Sequence, residues 1–145
     1  MSKSNAFENQ ILSHIFLNTD IANIGDAAGL QNSVAAGNLY VALHTADPGE
    51  AGDQTTSEAN YVGYARAAVA RVTGWQVTGN LAENVAAVQF PICTGGSSNV
   101  THFSVGKLSG GASDILYSGV LGAPLAVTNN ILPEFPAGAI DVTED

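Results

Sequence analysis

Residues 37–70 read GNLYVALHTADPGEAGDQTTSEANYVGYARAAVA. Leu39, Val41 and Leu43 alternate with Tyr40, Ala42 and His44, the period-2 pattern of a half-buried strand. Asp47-Pro48-Gly49 stops that strand, because proline cannot donate to a sheet ladder and glycine supplies turn geometry. An acidic loop rich in small residues runs on to Tyr61, and Tyr64–Val72 resumes an extended run. Strand, long polar loop, strand is the plan around which the remaining segments fall into place.

Downstream, short strand candidates are divided by glycine and proline: 74–79, 85–90, 100–105, 114–120, 125–128 and 139–143. Phe103 shares a face with Thr101 and Val105. Short strands at this spacing with no helix between them predict a mainly β fold, a β-sandwich or jelly-roll-like domain. Leu39, Val41, Leu43, Val88, Phe90, Phe103 and Val105 are its expected core. Upstream lies one amphipathic helix. Asn5 and Glu8 have capping-box spacing, and Phe7, Ile11, Leu12, Ile15 and Phe16 recur on one face. The helix is expected to end near Asn18-Thr19, with a short second turn over Ile21–Ile24. Residues 1–36 therefore read as helix and connecting arm, and 37–145 as the β domain.

Composition narrows the function. The chain has 145 residues, a length at which folding buries roughly 70% of the unfolded surface, so one domain needs no disulfide or metal to build a core. Only 12% of residues are charged, and the net charge is −9. The four bases, Lys3, Arg66, Arg71 and Lys107, form no cluster in sequence. That argues against nucleic-acid binding and against attraction to an anionic membrane. Cys93 is alone and reads as a small buried hydrophobe. No apolar run approaches membrane-spanning length and no export leader is recognisable, so synthesis in the cytosol is expected.

Reactive constellations are weak. His44, Thr45 and Asp47, joined by Ser104 and His102 if their strand is adjacent, contain the residue types of a nucleophile–histidine–carboxylate site. No nucleophile-elbow motif accompanies them, and Asp before Pro-Gly is ordinary turn chemistry. Asp47, Glu50, Asp53 and Glu58 are carboxylates in one loop, out of register with an EF-hand. As a hydrolase pair, Asp47 with Glu50 or Glu58 lacks a rigid scaffold. His14, His44 and His102 lack zinc-site spacing. No enzyme, cofactor or metal is expected. Trp75 with Tyr61 and Tyr64 (or Tyr117) offers the aromatic surface of a sugar-binding platform; the competing reading is core packing.

Four stretches resemble the small tailed-phage and prophage proteins labelled phage tail fibre proteins. They are SNAFENQILSHIFLNTDIANIGDAAGL (4–30), LYVALHTADPGEAGDQTTSEANYVGYARAAVAR (39–71), FPICTGGSSNVTHFSVG (90–106) and FPAGAIDVTED (135–145). LHTADPG and GYAR are the most specific elements. The resemblance spans nearly the whole chain and implies a virion component assembled in the host cytoplasm. The expected function is structural, by protein–protein assembly in a tail-fibre-like or head-surface decoration role. Expected partners are tail, collar or major capsid proteins and further copies of the chain. A glycan- or receptor-binding module is the alternative. Phe7, Ile11 and Ile15 are the expected assembly interface, because their helix is joined to the first strand by a long arm instead of the usual short connection.

Overall fold

A computed structural model describes residues 2–145. Ten elements follow in order: α1 (Asn5–Leu17), β1 (Asn38–His44), β2 (Ala67–Ala70), β3 (Trp75–Thr78), β4 (Leu81–Asn84), β5 (Val88–Gln89), β6 (Ser98–Gly106), β7 (Ile115–Val127), β8 (Glu134–Phe135) and β9 (Asp141–Thr143). The fold is mainly β, with several antiparallel sheets and one N-terminal helix, as the strand spacing predicts. The sheets run β2-β1-β6-β7, β3-β4-β9 and β5-β8. The chain forms two compact units. One comprises the segment ending at Asn38 with Val69–Ala87 and Phe135–Asp145; the other comprises Leu39–Ala68 and Val88–Glu134.

In the first unit α1 packs on β3 and β4. Its N-cap is Ser4, not Asn5: Ser4 Oγ accepts the Phe7 amide at 3.3 Å. One hydroxyl at the true cap satisfies an orphan amide, so the capping-box spacing one residue on is not used. Asn18 ends the helix in the left-handed conformation. Leu12 and Phe16 are wholly buried, and the Phe16 ring meets Trp75 edge-on at 4.7 Å between centroids. A turn does form at Ala22–Asn23, but with Asn23 at φ +63° it is not helical, and Ile21 bridges Leu30, closing the arm into a loop. Asn84 locks the other side of the unit. Its amide donates to the carbonyls of Ala86 and Pro136, and its oxygen accepts the amides of Ala139 and Ile140, all at 2.8–3.0 Å. Between β3 and β4, Gly79 takes φ +62° in a two-residue hairpin with Asn80. Glycine at that first central position suits a type II′ turn.

In the second unit β1 lies between β2 and β6. Leu39, Val41, Leu43, Val88, Phe90 and Val105 are buried, as their faces predict. Phe103 is only half-buried. It pairs with Leu43 and lies opposite Gly119 of β7. A Cβ at Gly119 would stand 2.7 Å from the Phe103 ring, so the ring rests over a glycine and keeps one side open. β1 is not half-buried: Val41 to His44 are all inaccessible. Its second face is covered by side chains, and they form the site below. Residues 114–120 and 125–128, read separately in sequence, form the single strand β7. Its register with β6 jumps where Leu121–Pro124 bulge against Thr101.

Candidate functional site

The polar face of β1 carries His44, and antiparallel pairing sets Ala42 opposite Ser104 of β6. His44 Nε2 lies 2.7 Å from Ser104 Oγ, and His44 Nδ1 lies 2.8 Å from the Thr56 carbonyl. A carbonyl only accepts, so Nδ1 carries the proton and Nε2 accepts from the serine hydroxyl. The adjacency that would bring a nucleophile to a histidine is thus real. The rest of the constellation is not assembled. His44 and Ser104 are both wholly buried, so no substrate reaches Oγ. Asp47 accepts the Gly49 amide in its own turn, and the half-buried His102 contacts Thr101 Oγ1. Burial holds His44 below its ordinary value, favouring the neutral ring.

Four further side chains extend the cluster. Gln54, wholly buried, donates from Nε2 to Ser104 Oγ at 3.2 Å and to the Tyr40 carbonyl at 2.9 Å. Its own oxygen accepts Arg66 Nη1 at 3.2 Å. Gly106 makes this possible: a Cβ there would lie 2.2 Å from the Gln54 amide carbon. Arg66 grips Glu58 with two bonds, Nε–Oε1 at 2.7 Å and Nη2–Oε2 at 2.9 Å. Nη1 also reaches the Leu108 carbonyl and Nη2 that of Gly111. All five guanidinium donors are therefore engaged, the arrangement that makes a buried arginine tolerable. Glu58 holds the Arg66 pKa above its ordinary value. Tyr64 completes the cluster, donating to Glu58 and accepting the Leu43 amide. Desolvation pushes its phenol up.

Chemically the cluster is a clamp. It ties the 47–58 loop to the sheet through His44 and Gln54, and to the 107–113 loop through Arg66. Ser113 Oγ accepts the Lys107 and Leu108 amides at 3.0 and 3.1 Å, which shapes the second of those loops. Sequence reasoning found His44 and Ser104 but missed Gln54, Arg66, Glu58 and Tyr64 as their partners. The signal was an arginine directly before an alanine-rich strand in a chain with four bases.

Of the other sequence-derived positions, Tyr64 and Glu58 belong to the clamp, Tyr61 meets the Tyr64 ring edge-on at 5.4 Å between centroids, and Trp75 and α1 belong to the first unit. Trp75 and Tyr61 are each 2% exposed and Tyr64 is half-buried, so no open ring face is presented by the two most buried rings. Tyr61 donates to the Pro91 carbonyl, and burial raises its phenol to about 12. On α1, Phe7 is 37% exposed, Ile11 and Ile15 are half-buried, and Leu12 and Phe16 take the innermost positions. The 47–58 carboxylates are dispersed: Asp53 bonds Thr55 and Glu58 pairs with Arg66. Among the described residues no three His, Cys, Asp or Glu side chains gather as metal ligands.

The histidine–serine contact is thus sealed inside a loop clamp of a β-rich body. The chain belongs to the podophage GP4 fiber I protein gp80 family, whose model matches residues 2–143. It is a phage fibre structural protein and a virion component. No curated protein matches the sequence.

Proposed function

We propose that the chain works by assembly, without turnover of a substrate, and that α1 and its arm are the part applied to other virion proteins. One observation carries this reading: an arm pinned at many points holds apolar side chains outward. Ser33 and Asn18 exchange two bonds of 2.9 Å, Asp20 accepts the Asn32 amide, and Asp26 accepts the amides of Ala28 and Gly29. Arg71 donates to the Ala36 carbonyl from beneath. On this fixed backbone Ile24, Leu30 and Val34 are 41%, 46% and 110% exposed. Residues 27–37 contain no charge. Ordered, uncharged, apolar projections gain free energy when a partner covers them. Phe7, Ile11 and Ile15 extend the proposed surface along the helix.

The test is a Val34→Asp/Leu30→Asp variant supplied to phage lacking the native chain. Its melting should stay within about 0.5 kcal/mol of the parent, as for other surface changes. Purified particles should lack it. Normal incorporation of the variant would place the contacts elsewhere.

A further inference from the structure

The second unit holds another surface, independent of the helix and arm. β7 ends its sheet; Asp53 of the 47–58 loop bridges Asp114 just before the strand begins, and past that point no strand lies on its outer side among the described residues. Open edges are normally blunted by charge, proline or bulges. The C-terminal half of β7 is blunted in this way, by the Leu121–Pro124 bulge and its proline. A single-residue bulge at Leu116 turns the start of the strand, but from Tyr117 to Val120 the ladder with β6 is regular. No charged residue lies between Ile115 and Val120, and Val120 is 70% exposed.

Alongside this stretch runs a groove of about 390 Å³. Ile115–Ser118 form one wall, and Asp47, Gly49, Glu50 and Gly52 form the other. The loop wall has a fixed shape: Gly49 takes φ +67°, and a Cβ at Gly52 would meet the Pro48 carbonyl at 2.1 Å. Asp47 and Glu50 are exposed, and neither has an ion-pair partner among the described residues. An open strand edge beside two unpaired carboxylates fits an extended segment bearing lysine or arginine. Such a segment takes its affinity from main-chain bonds and its selectivity from the charges.

A second copy does not supply that charge. All four bases of this chain are engaged: Lys3 with Glu144, Arg66 with Glu58, Lys107 with Asp114, and Arg71 with backbone carbonyls. Two bodies of net charge −9 also repel. We infer that the β7 edge from Ile115 to Val120 accepts an extended basic segment of a different protein. The segment adds as a strand, with its cationic side chains toward Asp47 and Glu50.

The experiment uses the intact chain and a synthetic strand peptide of alternating lysine and valine. Its control replaces the central valine by proline. Amide hydrogen exchange should slow in Ile115–Val120 with the first peptide and not with the second. Affinity should fall roughly fivefold in Glu50→Lys, the scale of an exposed ion pair lost and reversed, and should weaken with salt. Absence of protection in Ile115–Val120, or equal binding by Glu50→Lys, overturns the proposal. So does a dimer of the protein alone in which Ile115–Val120 is already protected, because the occupant is then a second copy. None of these outcomes bears on the arm, whose test is incorporation into particles.

Discussion

Arg66 and Arg71 stand five residues apart in sequence and serve the two units by different chemistry. Arg66 meets a carboxylate: two of its bonds go to Glu58 and the others to Gln54 and two carbonyls. Among the described residues Arg71 meets no carboxylate. Its Nε donates to the Ile15 carbonyl at 2.6 Å, Nη2 donates to that of His14, and Nη1 reaches Ala36. It thereby closes the C-terminus of α1, where the helix dipole is negative and the last carbonyls lack helical partners. Burial lowers the pKa of Arg71, whereas Glu58 raises that of Arg66. The difference teaches what each removal leaves behind: at Arg66 an uncompensated carboxylate, at Arg71 only solvable carbonyls.

The sharpest break in that comparison is Arg66→Met. Removing one partner of a buried ion pair costs about 3–5 kcal/mol, and the Glu58 side chain is only 18% exposed. Urea melts should show this loss, and adding Glu58→Gln should recover part of it by removing the stranded charge. If the double variant is no better than the single, the cost lies in the lost loop bonds and not in the carboxylate.

Arg71→Met is expected to cost less, about 1–3 kcal/mol, for carbonyls left without donors. The loss should be accompanied by fraying of the last turn of α1. Exchange of the amides around Ile15–Asn18 measures it. A cost equal to that of Arg66→Met would erase the distinction between carboxylate and carbonyl partners.

The smallest effect sharpens the clamp alone. His44 titrates below its ordinary value of 6.5 in the folded chain, chiefly through desolvation. The unfolded chain therefore binds the proton first as pH falls. The stabilising share of neutral His44 is complete above pH 6.5, declines as pH drops below it, and is fully lost beneath the folded pKa. Melting temperature should fall from pH 7 toward pH 5, and His44→Gln should flatten that slope. An unchanged slope would assign the acid sensitivity to other groups.

How much of this was legible varies by element. The β1 alternation, the β3 run and the one amphipathic helix were plain, because each is a local periodicity strong enough to fix its own secondary structure. β4 was missed although Gly79-Asn80 is a hairpin signal, since Leu81–Asn84 has only one apolar side chain of size. β8 is two residues long and follows Pro133, too short for any pattern. On α1, spacing put Phe7, Leu12 and Phe16 on one stripe, but only packing against β3 and β4 settled that Leu12 and Phe16 face inward while Phe7 stays partly exposed.

The sequence by itself determined a mainly β chain with a helix at its start, poor in charge and with bases too scattered for a phosphate-binding surface. Those properties follow from side-chain period and composition, which act over a few residues or over the whole chain at once. Only the tertiary structure decided that His44 and Ser104 are sealed by Gln54 and Arg66, and that β1 is covered on both faces. It alone sorted the edge of β7 into a blunted half and an open one. Each depends on pairs far apart in sequence, such as His44 with Ser104 or Arg66 with Gly111. Strand register brings the first pair together and loop closure the second, and neither leaves a trace in local periodicity.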